Sequence, residues 1–328
     1  YVAPERFENT FFLNLLRKIE IPLIAFDEAH CISKWGHDFR PSYQSVIQKV
    51  FTLPQNFTIV ALTATATAEV QQDIMSKLSI GQNDVVKTST KRRNLIFKVN
   101  PTYQRQKFVV DYVANHEGQA GIIYCSTRKQ VEELHEALNS EKIKSTIYHA
   151  GLTNKERIEA QNDFLYDRVE VVIATNAFGM GIDKSNVRYV IHYNMPGDLE
   201  SYYQEAGRAG RDGLKSECIL LFSERDKGLH EYFITVSQAD DDYKDKMGEK
   251  LTKMIQYTKT KKCLEATIVH YFEPNENLEE CNQCSNCIQE NKTYDMTREA
   301  KMIISCIARM KQQENYSVII QVLRGEVT

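Results

Sequence analysis

Leu23-Ile24-Ala25-Phe26-Asp27-Glu28-Ala29-His30 joins a short apolar run to two adjacent carboxylates. Runs of this length, bounded by polar residues, read as strands buried in a sheet. Asp27 and Glu28 then fall at the carboxyl end of a strand, where open α/β sheets bind their ligands. Nucleotide hydrolysis needs one carboxylate there to hold magnesium, usually through water, and another to polarise the attacking water. Asp27 suits the first role and Glu28 the second. Asp-Glu pairs are also common on solvated surfaces, so the rest of the chain must carry the reading.

Working outward, Thr58 to Leu62, Gly121 to Cys125, Val169 to Ala174 and Tyr189 to His192 are similar apolar runs, each followed by a longer mixed segment. Ala68 to Leu78 and Lys129 to Leu138 carry apolar residues at helical spacing between them. This alternation predicts an α/β fold built on parallel strands with crossover helices. A break is expected around Ser89 to Asn100, at the cluster Lys91, Arg92, Arg93 and Asn94. The second strand and helix series runs to about Phe222. From Asp226 to Phe272 the pattern predicts helices without strands, then a cysteine cluster, a helix from about Thr297 to Lys311 and a strand-like Ser317 to Leu323, after which the last domain looks unfinished. The expected domains are therefore 1–88, 89–222, a helical metal-binding segment 223–290, and 291–328. With 328 residues, 42% of them hydrophobic, the chain can form two or three cores.

No run approaches the roughly 18 apolar residues of a membrane span, and the first residues lack the order of a signal peptide. A cytoplasmic protein without a membrane partner is expected. The formal net charge of -3 argues against a wholly basic nucleic-acid binder but allows a local basic groove. Cys31, Cys125, Cys218 and Cys306 stand singly and read as small buried side chains. Cys263, followed after seventeen residues by Cys281-x2-Cys284-x2-Cys287, matches four thiolates around tetrahedral zinc. His270 could substitute as a ligand, although an ordinary helix residue is the stronger reading.

Other candidates sit at further strand ends. Thr63-Ala64-Thr65 offers hydroxyls that can bond to the carboxylate motif and relay its state to neighbouring loops. The segment from His30 to Tyr43 holds Trp35, Phe39 and Arg40, faces on which unpaired bases can stack; the plainer alternative is a loop pinned by its buried aromatics. Ser126-Thr127-Arg128, Tyr148-His149-Ala150-Gly151 and Thr175-Asn176 have the small and hydroxyl side chains that hold a phosphate backbone without reading bases. Gly179-Met180-Gly181-Ile182-Asp183 and Gln204-Glu205-Ala206-Gly207-Arg208-Ala209-Gly210-Arg211 form the strongest pair of motifs. Two arginines three apart can present rigid guanidinium forks to a nucleotide's phosphates and stabilise charge on the transferred group.

The order of these motifs, ending in the four cysteines, resembles the RecQ family of superfamily 2 DNA helicases over nearly the whole chain. The resemblance implies two parallel-sheet lobes of RecA type, the first incomplete, then a helical zinc-binding subdomain and the start of a winged helix. It implies a motor that uses ATP and Mg2+ to move 3′ to 5′ on single-stranded DNA and to unwind duplex and branched DNA in repair, recombination and replication, with Zn2+ as a structural ion. A single-stranded-DNA-binding protein is an expected partner, and a monomer the expected state. By the same resemblance, Asp27, Glu28, His30, Gln204, Arg208 and Arg211 are catalytic, with His30 coupling the ATP and DNA sites; Asp27, Gly181, Asp183, Arg208 and Arg211 bind the nucleotide; and Trp35, Phe39, Arg40, Ser126, Arg128, His149, Thr175 and Asn176 face DNA. Arg208 or Arg211 is the arginine finger, and the sequence does not choose between them. Tyr1 to Arg6 resembles a segment that helps bind single-stranded DNA.

Two departures stand out. No G-x-x-x-x-G-K-[ST] occurs in these residues, which points to truncation and an ATPase-deficient fragment. Thr90 and Arg93 stand where the family usually shows phenylalanine and proline. The alternatives are a non-catalytic DNA-binding or scaffolding paralogue and an RNA-directed superfamily 2 helicase.

Overall fold

The structure is a computed structural model that describes residues 1–36, 39–54, 56–179, 182–276, 279–288, 297–310 and 315–326. It divides into two compact units, Tyr1–Ile288 and Gln289–Thr328.

In the first unit, a 3-10 turn over Pro4–Glu8 precedes α1 (Thr10–Leu16), β1 (Leu23–Phe26), α2 (Pro41–Val50), β2 (Thr58–Ala61) and α3 (Ala68–Leu78). The two strands are parallel, with Leu23 opposite Thr58 and Phe26 opposite Ala61. Phe26, Ile32, Val46, Val50, Val70, Ile74 and Leu78 form the core beneath them. The Thr67 side chain caps α3 on the backbone N–H of Val70, the hydroxyl cap that starts helices well.

The second lobe contains β3 (Leu95–Pro101), α4 (Arg105–Ala114), β4 (Ala120–Tyr124), α5 (Arg128–Ser140), β5 (Ser145–Tyr148), α6 (Asn154–Leu165), β6 (Val171–Ala174), β7 (Val187–His192), α7 (Leu199–Ala206) and β8 (Ser216–Phe222). Its six strands are all parallel, in the order β3-β8-β7-β4-β6-β5. The central β4, β6 and β7 are buried on both faces, hence their unbroken apolar runs. Ile122 and Tyr124 point into one core and Ile123 and Cys125 into the other, the two-residue alternation of a strand. Gly121 is required where it stands: a Cβ there would lie 1.9 Å from the Tyr189 ring. β3 begins inside the stretch expected to be a break, which narrows the connection between the lobes to the residues before Leu95.

Three helices follow without strands, α8 (Glu224–Val236), α9 (Asp241–Lys259) and α10 (Leu264–Phe272), then the short α11 (Ser285–Ile288). Arg105 and buried Asp226 pair their side chains and tie α8 to the second lobe. The second unit contains α12 (Thr297–Arg309) and α13 (Tyr316–Arg324). Ser317 to Leu323 is thus helical, not a strand. Its Val318, Ile319, Val322 and Leu323 fall on one helical face, the Asn315 side chain caps its start, and Gly325, at φ 73°, ends it in the left-handed region that glycine favours.

Candidate functional site

β1 ends on Phe26, and the chain turns at once. Glu28 adopts a left-handed φ of 49°, a conformation uncommon for residues other than glycine and held only where surroundings enforce it. Here the Glu28 N–H donates to Asp27 Oδ1 at 2.9 Å, the Ala29 N–H donates to the Leu62 carbonyl at 2.8 Å, and Tyr43 donates its hydroxyl to the Asp27 carbonyl at 3.1 Å. Asp27 is exposed; Glu28 is half-buried and His30 fully buried. His30 Nδ1 lies 3.3 Å from Glu28 Oε2 and 3.2 Å from Thr63 Oγ1. The Thr63 hydroxyl thus meets the carboxylate motif through His30, while the buried Thr65 contributes a backbone N–H to Thr63 Oγ1.

Glu28, Thr63 and Thr65 form one wall of a cleft of about 850 Å³; Gly179, Ile182, Asp183, Gln204, Arg208 and Arg211 form the wall facing them. Gln204 Nε2 approaches Glu28 Oε2 at 3.4 Å across it. α7 carries Gln204 on its last turn, and the turn that follows carries both arginines. Arg208 donates to the Gly179 carbonyl; Arg211 donates to the Ile182 carbonyl at 3.1 Å and pairs with Asp183 at 3.2 Å. A Cβ at Gly179 would stand 2.3 Å from Arg208 Nη2, so any side chain there would push the guanidinium aside. The cleft therefore opposes a carboxylate, backed by the buried His30 imidazole, to two guanidinium groups, an arrangement that can polarise a water and neutralise a phosphoryl group. Gly181 lies outside the described residues.

Ser126, Arg128, His149, Thr175 and Asn176 gather along the carboxyl ends of the neighbouring strands β4, β6 and β5. The Cys125 N–H donates to the Ala174 carbonyl and that of Thr175 to the Tyr148 carbonyl, lacing these ends together. Asn176 and Arg128 are exposed there, and the Ser126 N–H is held by Asn194. His149 is instead buried, accepting the Gly151 N–H and lying 3.5 Å from Glu132.

Trp35 packs partly against the first lobe's core, with Lys34 and Lys246 standing 5.4 and 5.8 Å from its ring centre. Phe39 and Arg40 are half-buried, and the Arg40 N–H donates to the Cys31 carbonyl; His37 and Asp38 between them lie outside the described residues. What the sequence did not disclose is how this loop is held. Lys250 on α9 donates to the Trp35 carbonyl at 2.8 Å and pairs with Glu200 on α7 at 3.0 Å. Lys34 pairs with Asp240, and Lys246 with Glu69. No local pattern marks Lys250, which sits among the many charged residues of a long helix.

The four cysteine sulfurs lie within 4.8 Å of one another, with Cys281 to Cys287 at 3.9 Å and Cys263 to Cys284 at 4.0 Å. Four thiolates about 2.3 Å from a tetrahedral ion would be separated by about 3.8 Å. Backbone N–H groups point at the sulfurs: Cys281 to Cys263, Leu264 to Cys284, and Cys284 to Cys281, at 3.2 to 3.3 Å. This second layer suits charged sulfur, so the residues fit structural zinc. His270 is exposed and is no part of the cluster.

Family models match the chain in the same order: DEAD/DEAH box helicase over residues 1–74, helicase conserved C-terminal domain over 104–213, RecQ zinc-binding over 224–288 and RQC domain over 290–328. The ATP-dependent DNA helicase RecQ of Bacillus subtilis is 46% identical over 99% of the chain and 55% of its own length; that of Pasteurella multocida is 36% identical over 99% of the chain and 51% of its own. The chain thus spans about half the length of the curated relatives it matches. Among solved structures, Mycobacterium smegmatis helicase Lhr bound to ssDNA and AMP-PNP superposes with a TM-score of 0.54 at 17% identity, covering 78% of this chain and 40% of that one, a likeness of fold. Two RecA-like lobes, a helical zinc-binding subdomain with its four cysteines gathered, and the start of an RQC winged-helix region make this chain a member of the RecQ family of superfamily 2 helicases.

Proposed function

We propose that the chain is the motor part of an ATP-dependent DNA helicase, moving 3′ to 5′ on single-stranded DNA and unwinding duplex or branched DNA in repair, recombination and replication. The observation that carries the reading is the opposition of Glu28, with His30 buried behind it, to Gln204, Arg208 and Arg211 across one cleft. Glu28 orients and deprotonates the attacking water, and His30, shared between Glu28 and Thr63, reports its state to the first lobe. Gln204 senses closure of the cleft, and the arginines neutralise the phosphoryl oxygens as charge develops. Asp27 would hold magnesium through water, and the ion would neutralise the phosphates as Lewis acid. Gly181 and Asp183 are assigned to nucleotide binding, Asp183 from the wall of the cleft.

Trp35, Phe39 and Arg40 are assigned to sensing single-stranded DNA, and Ser126, Arg128, His149, Thr175 and Asn176 to its backbone. His149 would act by shaping its loop, since it is buried. The domain limits 1–88, 89–222, 223–290 and 291–328 are our assignment, as are a cytoplasmic monomer and a single-stranded-DNA-binding protein as partner; among the described residues no helix is long and apolar enough to cross a membrane.

The test is ATP hydrolysis by the protein with whatever sequence precedes Tyr1 in its gene, with and without single-stranded DNA, beside its Glu28→Gln variant. Strong stimulation by DNA, abolished by the substitution, is expected. No turnover in the wild type would favour the non-catalytic DNA-binding reading, and stimulation by RNA rather than DNA the RNA-directed one.

A further inference from the structure

The connection between the lobes is held by the zinc-binding module from two directions. Glu273, at the end of α10, accepts the Thr90 N–H at 2.9 Å and the Thr90 hydroxyl at 2.8 Å through one oxygen. Gln283, between Cys281 and Cys284, donates to the carbonyls of Arg93 at 2.9 Å and Leu95 at 3.3 Å. On its other side the same segment grips the turn that carries the two arginines. Arg92 donates to the carbonyls of Ala209 and Gly210 at 3.2 Å, and Asn94 donates to those of Gly210 and Leu214.

We infer that residues 90–95 form a strap through which the zinc-binding module fixes the interlobe connection and the arginine-bearing turn, with Glu273 and Gln283 as positioning residues. Gln283 lies in the loop that the metal closes, so an emptied site frees it. Glu273 lies one helix away from Cys263, and its bond to Thr90 joins positions 183 residues apart in the chain. An isolated connector of this kind would exchange its amide hydrogens nearly as an open loop does, whereas an N–H bonded to a carboxylate, as that of Thr90 is, exchanges only when that bond opens.

The inference rests on the zinc reading of the four cysteines, so metal content is measured alongside. Hydrogen–deuterium exchange of peptides covering 89–95 is followed in the zinc-bound protein, in Glu273→Ala, in Glu273→Gln and after chelation. With zinc retained at one ion per chain, Glu273→Ala is expected to speed exchange of the strap roughly tenfold, the scale of one lost hydrogen bond to a charged group. Glu273→Gln, which keeps an acceptor oxygen, should return it to within about twofold of wild type, a rescue that general loosening of the fold would not produce. Chelation should speed exchange in the same peptide. Unchanged exchange in Glu273→Ala with full zinc, or after the site has been emptied, overturns the inference. A wild-type protein that binds no zinc overturns it through its metal premise, and the metal assay tells the two apart.

Discussion

Lys250 joins three parts of the molecule with one buried ammonium, and its replacement by methionine is the most informative single change. The Lys250 and Glu200 side chains are 5% and 2% exposed, and their charged atoms lie 3.0 Å apart. Burial, followed by the Glu200 charge, pushes the Tyr271 hydroxyl well above its ordinary range, so it stays protonated beside Glu200. Glu200 further benefits from its place in the first turn of α7. Lys250→Met keeps most of the stem and removes the charge. It leaves a carboxylate buried with a tyrosine and a helix terminus for company, and leaves the Trp35 carbonyl without its ammonium donor. Removing one partner of a buried pair costs about 3–5 kcal/mol. At about 2–4 °C per kcal/mol for a cooperative unit of this size, the melting temperature should fall by roughly 10 °C.

The double variant Lys250→Met with Glu200→Gln removes both charges and should recover more than half of that loss, because an uncompensated charge costs more than an absent pair. Thermal unfolding of wild type, both singles and the double closes the cycle. The intrinsic emission of Trp35, the only tryptophan, supplies a second reading: it should shift to the red in Lys250→Met as the loop loses its anchor. A single variant that melts within about 2 °C of wild type, or a double variant no more stable than the single, would refute the reasoning.

In Gly179→Ala the new methyl group meets Arg208 at its guanidinium; kcat for ATP should drop at least about tenfold with DNA affinity within about twofold, and an unchanged kcat would mean that Arg208 does not act from this position. Chelation should expose Cys263, Cys281, Cys284 and Cys287 to thiol reagents and melt the module around them; equal reactivity with and without chelator would exclude a closed tetrathiolate. Single-stranded DNA should change Trp35 fluorescence, and Trp35→Ala should lose most of the DNA stimulation of ATPase. Full stimulation in that variant would remove the loop's coupling role.

The strands β1, β4, β6 and β7 were legible because burial on both faces, or a strand running into the carboxylates, leaves an unbroken apolar run. The helix α3 was legible from its period. β3 was not, because it is an edge strand: its polar Lys98 leans on Glu217 at 2.6 Å, and a basic cluster precedes it. α13 misled through its Val-Ile-Ile run, where β-branched residues argue for a strand while the caps at both ends argue for a helix. In the site, Asp27, Glu28, Arg208 and Arg211 announce themselves through neighbours in sequence. Lys250, Glu200 and Tyr203 do not, since each acquires its role from a partner across the fold. Tyr203 shows the physics: burial pushes its hydroxyl up to about 12, which keeps it a donor to the Thr90 carbonyl.

Thr90 unites these threads. As sequence it was a departure from the family pattern with consequences only for the linker. In the fold its hydroxyl and its N–H share one carboxylate oxygen of Glu273, and its carbonyl receives Tyr203. A phenylalanine at this position would withdraw the hydroxyl and set an apolar ring against a half-buried carboxylate, leaving that charge short of a donor. Threonine at 90 and glutamate at 273 are therefore best understood as one unit, each reasonable only in the presence of the other. The cost of Thr90→Val should accordingly shrink when Glu273 is already alanine. If the two losses simply add, the pair is not coupled, and the strap is held by its other contacts alone.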